Sequence, residues 1–157
     1  MENICDAFIE TPFGSVGIQT SQGCLLAVKL FPSMGIQKSP QDDFTRMVLN
    51  QIQGYLINPN NKIDLNLNMI GTNFQKNVWT RIAEIPVGQT QSYSDLAISL
   101  GSGPRAVANA CGANNFPLVI PCHRVVAKAG LGGFMQNAEG GMVIKRWLID
   151  HEKANAW

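Results

Sequence analysis

Apolar and polar residues alternate through the first part of the chain. Cys5-Asp6-Ala7-Phe8-Ile9 runs to a turn at Pro12 and Gly14, Ser15 to Thr20 runs to a turn at Gly23, and Leu25-Ala27-Lys29-Phe31 follows. A period of two punctuated by glycine and proline predicts an antiparallel meander. At Ser39-Pro40-Gln41-Asp42 the pattern changes to a helix start, with proline at the first helical position and an acid three residues after the cap. Phe44, Met47, Val48, Ile52, Tyr55 and Leu56 then recur at helical spacing until Asn58-Pro59 ends the run. Ile63, Leu65, Leu67 and Met69 alternate in an extended linker. Residues 1–70 read as a small α/β scaffold without evident chemistry.

From residue 71 the pattern becomes helical. Asn73 caps an expected helix with Phe74, Val78 and Ile82 on its apolar face, ending before Pro86. Ser92-Tyr93-Ser94-Asp95 offers a second capping box, followed by Leu96, Ile98 and Leu100 before Gly101. Ser102-Gly103-Pro104 opens a third helix, Arg105 to about Ala113. Two short helices joined by a tight glycine turn have the form of a helix-turn-helix. The third helix is nearly bare: Ala106, Ala108, Ala110, Gly112 and Ala113, with Arg105 at its entrance. Such a helix either packs tightly on a neighbour or slides into a nucleic-acid groove with Arg105 as its one long side chain. Leu118-Val119-Ile120 predicts a short buried strand, and a last helix after Gly141 places Ile144, Leu148 and His151 on one apolar side, with Lys145 and Glu152 beside it.

Composition narrows the picture. The 157 residues are 45% hydrophobic, enough for a packed core, and no stretch approaches the roughly 20 consecutive apolar residues of a membrane span. The net charge of +1 excludes a polyelectrolyte, yet the halves differ. Residues 1–70 carry four basic and six acidic side chains (4 − 6 = −2), and residues 71–157 carry eight basic and five acidic (8 − 5 = +3), so any anionic partner belongs to the second half. Glu2, Asp6 and Glu10 interrupt the first twenty residues, which predicts no secretory signal. Cys5, Cys24, Cys111 and Cys122 form no CxxC and no metal-ligand spacing with His123 and His151. The expected setting is a reducing cytoplasm, without bound metal.

The most chemically loaded place is Pro121-Cys122-His123-Arg124, at the end of the expected strand. Only a thiolate is a competent nucleophile, so a reactive cysteine needs a nearby base or a positive field. His123 could supply the base and Arg124 the field. Neighbours on an extended segment point to opposite faces, so direct contact would need a bridging water or a turn after Cys122. The bland alternative is a buried structural cysteine beside a surface histidine.

Taken together, these residues resemble the methylated-DNA–protein-cysteine methyltransferases, also called O6-alkylguanine-DNA alkyltransferases. The resemblance covers about residues 71–152. It is carried by Gly71-Thr72-Asn73-Phe74-Gln75 through Val78-Trp79, Ile85-Pro86-Val87-Gly88-Gln89-Thr90, Ser92-Tyr93, Arg105-Ala106-Val107 and Pro121-Cys122-His123-Arg124-Val125, all in family order. Residues 1–70 match only as a loose α/β domain. The stretch from Tyr93 to Arg105 is about two residues shorter than usual, and Met135-Gln136-Asn137-Ala138-Glu139 makes a longer loop.

The resemblance implies a fold with an N-terminal ribonuclease-H-like antiparallel sheet plus helix (1–70), and a mainly helical C-terminal domain with a winged helix-turn-helix-like unit (71–157). It implies irreversible transfer of an alkyl group from O6-alkylguanine in double-stranded DNA to Cys122, one event per molecule, with O4-alkylthymine a second candidate substrate. His123, through a water, would deprotonate Cys122, and Glu152 would orient and charge His123. Tyr93 would push the neighbouring phosphate and donate to the departing guanine, and Asn114 would hold the turn between recognition helix and active-site strand. Arg105 would fill the hole left by the flipped base, with Ala106, Ala108, Asn109, Gly112, Arg124 and Tyr93 against the DNA. Phe134, Gly133, Val125 and Pro121 would line the pocket. No cofactor, metal, membrane or obligate protein partner is implied, and a cytoplasmic, nucleoid-associated monomer is expected. The competing readings are an alkyltransferase-like protein that binds lesions without reacting, disfavoured by cysteine at position 122, and a cysteine hydrolase.

Overall fold

The computed structural model describes residues 5–134 and 140–155, the side chain of Asn155 excepted. The expected long loop 135–139 lies outside the described residues. The chain divides into two compact units, Met1–Asn68 with Asn115–Val119, and Met69–Asn114 with Ile120–Trp157. Residues 115–119, assigned by the sequence to the second region, therefore belong to the first unit.

In the first unit the alternating segments form the expected meander: β1 (Ala7–Thr11), β2 (Gly14–Ser21) and β3 (Cys24–Phe31), antiparallel in the order β1-β2-β3. The register pairs Ile9 with Val16 and Val16 with Leu30. Ala7, Val16, Ile18, Leu25, Val28 and Leu30 are buried. Helix α1 (Asp43–Ile57) buries Val48, Leu49, Ile52 and Tyr55, as its spacing requires. Its cap, however, is Asp42 and not Ser39: the Asp42 carboxylate accepts from the Thr45 amide at 2.8 Å and from the Thr45 hydroxyl at 2.8 Å. That carboxylate satisfies two donors at once, which Ser39 could not. Residues 63–69 alternate between half-buried and exposed, without strand pairing.

Leu118-Val119-Ile120, an expected strand, is a turn, with Leu118 at φ 75°. Leu118 and Ile120 are buried nonetheless. A short apolar run reports burial and not conformation, and here Pro117 precedes a left-handed residue that cannot continue a strand.

The second unit gathers α2 (Asn73–Ala83), β4 (Gln91–Ser92), α3 (Tyr93–Leu100), α4 (Pro104–Gly112), a one-turn 3₁₀ helix (Cys122–Arg124), β5 (Val125–Val126) and α5 (Gly141–Asn155). Helix α2 is capped by Thr72, one residue before the expected Asn73 cap, because Thr72 and Gln75 close a reciprocal capping box. The indole of Trp79 donates to the Ala110 carbonyl at 2.8 Å and ties α2 to α4. Ser92 caps α3, and Gly101 ends it at φ 65°, a left-handed conformation that costs glycine little. Leu96 and Ala97 are buried, whereas Ile98 is 78% exposed. Parallel pairing of Gln91-Ser92 with Val125-Val126 sets the start of α3 beside the segment that follows Cys122.

Candidate active site

Every expected chemical group lies in this second unit. Of the two routes by which Cys122 could work with His123, a bridging water or a turn, the chain makes the turn: Cys122 N–H donates to the Ile120 carbonyl at 2.8 Å and Arg124 N–H to the Pro121 carbonyl at 2.9 Å. Pro121, Cys122, His123, Arg124 and Val125 are all buried. The chain enters this turn from an excursion at 115–119, and Asn114 closes it. The Asn114 amide donates to the Ile120 carbonyl at 3.0 Å and to Cys122 Sγ at 3.3 Å. One side chain thus fixes the turn and touches the sulfur.

Burial pushes the Cys122 thiol up, against the downward pull of the Asn114 hydrogen bond and of Lys145. The resting group is therefore a thiol that needs a base. His123, at 0% exposure, is pushed below its ordinary value by burial, outweighing the hydrogen bond and charge of Glu152, with Arg124 and Lys145 pushing the same way as burial. Glu152 pulls the ring toward its charged form, burial outweighs that pull, and the carboxylate orients the ring. It lies 2.6 Å from His123 Nε2. A neutral ring donating from Nε2 keeps its basic lone pair on Nδ1.

Arg124, expected against DNA, is 8% exposed and faces inward. Its Nε and Nη2 donate to the Glu152 carboxylate at 2.8 and 3.0 Å, and its Nη1 to the Ile85 carbonyl at 2.6 Å. Gly88 N–H adds a longer bond to Glu152 at 3.4 Å. A guanidinium fork matched to a carboxylate offsets the desolvation of both charges. It also answers the macrodipole, which opposes an acid late in α5. Arg124 is thus a structural counter-ion and leaves the DNA-facing set.

On α4, Val107 and Ala110 face the core while Arg105, Ala106 and Asn109 are exposed; Ala108 and Gly112 are half-buried. One side of the bare helix is packed and the other is open. Tyr93 is half-buried and its hydroxyl donates to the Gly133 carbonyl at 3.3 Å. Burial, with the Cys111 and Cys122 charges, lifts its ionisation to about 12, so it is a donor at neutral pH. Gly133 is exposed and Phe134 buried. Gly132 has φ 72°, and a Cβ there would come within 2.6 Å of the Tyr93 ring.

Sequence reasoning did not give Lys145 a role. Its side chain is completely buried, donates to the Val125 carbonyl at 2.7 Å and the Gly133 carbonyl at 2.8 Å, and its ammonium lies 5.7 Å from the Tyr93 ring centroid. The available signal was the stripe Lys145, Leu148, Glu152 on one helical face, two charges sharing a side with a core leucine. His151, set beside Ile144 and Leu148, stacks on Trp147 at 4.6 Å and stays outside this cluster. Among the described residues no group of three or more His, Cys, Asp or Glu is placed to hold a metal, and no helix is long and apolar enough to cross a membrane.

The second unit thus holds two short helices joined by a glycine turn, a buried cysteine and a histidine–carboxylate pair. Comparison with known proteins gives the family. Residues 73–154 match the family model described as 6-O-methylguanine DNA methyltransferase, DNA binding domain. A probable methylated-DNA–protein-cysteine methyltransferase of Acanthamoeba polyphaga mimivirus is 50% identical over 94 residues, 59% of this chain and 60% of that protein. The methylated-DNA–protein-cysteine methyltransferase of Methanosarcina barkeri is 32% identical over 154 residues, 94% of this chain and 96% of that one. A crystal structure of Mycobacterium tuberculosis OGT in complex with DNA is similar with a TM-score of 0.74 at 30% identity, covering 95% of this chain and 92% of that one. The chain belongs to the methylated-DNA–protein-cysteine methyltransferase family.

Proposed function

We propose that this protein repairs double-stranded DNA by moving the alkyl group of O6-alkylguanine to Cys122, once per molecule. The observation that carries the reading is the Asn114 amide on Cys122 Sγ at 3.3 Å, next to a His123 held by Glu152. His123, through a water, takes the thiol proton. The sulfur then attacks the alkyl carbon, the S–C bond forms as the C–O6 bond breaks, and the electron pair goes to the guanine oxygen. The base leaves as guanine after taking up one proton, with Tyr93 as the nearby donor. The product is a thioether, which has no leaving group suited to reversal, so each molecule reacts once.

Exposed Arg105, Ala106 and Asn109, with Ala108 and Gly112 letting α4 approach closely, form the DNA side of the site, and Arg105 takes the place of the flipped base. Flipping costs a few kcal/mol, less for a damaged, poorly pairing base. Pro121, Val125, Gly133 and Phe134 form the pocket. The protein acts as a monomer in the cytoplasm, without an obligate protein partner. Incubating it with an O6-methylguanine duplex and comparing intact masses tests the reading. One methyl per protein molecule supports it, and sustained turnover or no uptake refutes it.

A further inference from the structure

Cys122 has a second thiol near it that alkyl transfer does not use. Cys111 lies on the last turn of α4 and is half-buried, whereas Cys122 is 7% exposed. Asn114 joins the two residues. Its backbone N–H donates to the Cys111 carbonyl at 3.2 Å, and its side-chain amide donates to Cys122 Sγ at 3.3 Å. Residues three apart in such a turn eclipse one another, so Cys111 and Asn114 leave the backbone on the side that faces the sulfur. The electrostatics agree with that placement. Burial first, and then the charge of Cys122, push the Cys111 thiol up to about 12, with Lys145 pulling it down. The Tyr93 hydroxyl feels both thiolate charges. Cys5 and Cys24 belong to the first unit.

We propose that Cys111 and Cys122 are a redox pair: hydrogen peroxide joins the two thiols in a disulfide that blocks the alkyl acceptor, and a thiol reductant releases it. The inference rests on Cys122 being the reactive thiol of the proposed function. In the first step the Cys122 thiolate attacks a peroxide oxygen, the O–O bond breaks, and the leaving hydroxide takes the thiol proton as water. Cys122 is then an uncharged sulfenic acid, and the negative charge that opposed ionisation of Cys111 is gone. The Cys111 thiolate attacks that sulfur, the S–S bond forms as the S–O bond breaks, and the departing hydroxide becomes water with the Cys111 proton. Two thiols are oxidised and one peroxide is reduced to two waters. The second step is intramolecular, so a small thiolate fraction at Cys111 is enough to carry it. A sulfenic acid without such a neighbour goes on to sulfinic acid, which thiols do not reverse. In a protein that has one acceptor per molecule, the bridge preserves the sulfur for later use.

The test treats the full chain with a small excess of hydrogen peroxide, caps the remaining thiols with iodoacetamide, and reads non-reducing peptide maps by mass spectrometry. The expected product is a single chain lighter by two hydrogen atoms, with the Cys111 and Cys122 peptides linked. Methyl uptake from an O6-methylguanine duplex is lost in the bridged protein and returns after dithiothreitol. In Cys111→Ser, uptake before oxidation matches the parent, whereas the loss caused by peroxide persists after dithiothreitol. Cys122 of the parent found as sulfinic acid, joined to Cys24 of another molecule, or unmodified overturns the proposal. A Cys111→Ser variant that recovers as fully as the parent overturns it too. Should that variant not fold, the peptide map of the parent decides alone. The map needs no alkylated DNA, so a parent that forms the bridge but takes up no methyl before oxidation refutes the proposed function and leaves the redox pair standing.

Discussion

Arg124 and Glu152, 28 residues apart, meet through two parallel hydrogen bonds of 2.8 and 3.0 Å, and this pair leaves the second carboxylate oxygen 2.6 Å from His123 Nε2. The arrangement converts a costly buried acid into a device that orients His123, the proposed base. Glu152→Gln keeps the shape but leaves Arg124 without a counter-charge. Breaking one partner of such a buried pair costs about 3–5 kcal/mol. The variant is therefore expected to unfold at lower urea, to transfer alkyl groups more slowly, and to show a raised pH midpoint for Cys122 alkylation. An unchanged thiol profile would remove Glu152 from the relay.

Arg105 is exposed at the N-terminal end of α4, where it can enter DNA without disturbing the core. Arg105→Ala is expected to slow repair of duplex substrate by at least about tenfold, or about 1.4 kcal/mol, with little effect on reaction with free O6-benzylguanine. Single-turnover rates on the two substrates decide it, since equal losses would reject the base-replacing role.

The close approach of Gly132 to Tyr93 supplies a third expectation. Gly132→Ala puts a side chain at φ 72° and within 2.6 Å of the Tyr93 ring. The strain should cost about 1–3 kcal/mol and shift the ring, slowing transfer from O6-benzylguanine. Thermal unfolding and that rate are measured together. If both match the parent protein, Tyr93 does not depend on the glycine.

Several features of this site were legible in the sequence because they are local. Cys122, His123 and Arg124 are adjacent, Asn114 breaks a helix, and the context of Glu152 marks it on α5. What the sequence could not give were distances across the fold. Arg124 reads as a surface cation until Ile85 and Glu152 are placed around it. Lys145 reads only as a charge beside the apolar side of the last helix until its bonds to the Val125 and Gly133 carbonyls are placed. The fold follows the same rule. The meander and helices appear where periodicity runs long, whereas Leu118–Ile120 turns because of Pro117 and its own left-handed backbone. The α1 cap moved from Ser39 to Asp42 because a carboxylate satisfies the Thr45 amide and hydroxyl together.

The neutral His123 has a consequence for stability. Its protonation is suppressed in the fold relative to the unfolded chain, so the unfolded state binds more protons as pH falls below the ordinary histidine range. The contribution is complete above about pH 6.5 and is lost as pH falls toward the depressed folded-state value. The urea midpoint should therefore drop between pH 7.5 and 5.5, and by less in His123→Gln. An equal drop in both proteins would assign the acid sensitivity elsewhere.

The most direct test of the whole account is peptide mass spectrometry after one equivalent of O6-methylguanine duplex has reacted. One methyl group on the peptide carrying Cys122, with Cys122→Ser still binding DNA but taking up none, is the expected result. Methyl on Cys5, Cys24 or Cys111 instead, or on no cysteine at all, would contradict it.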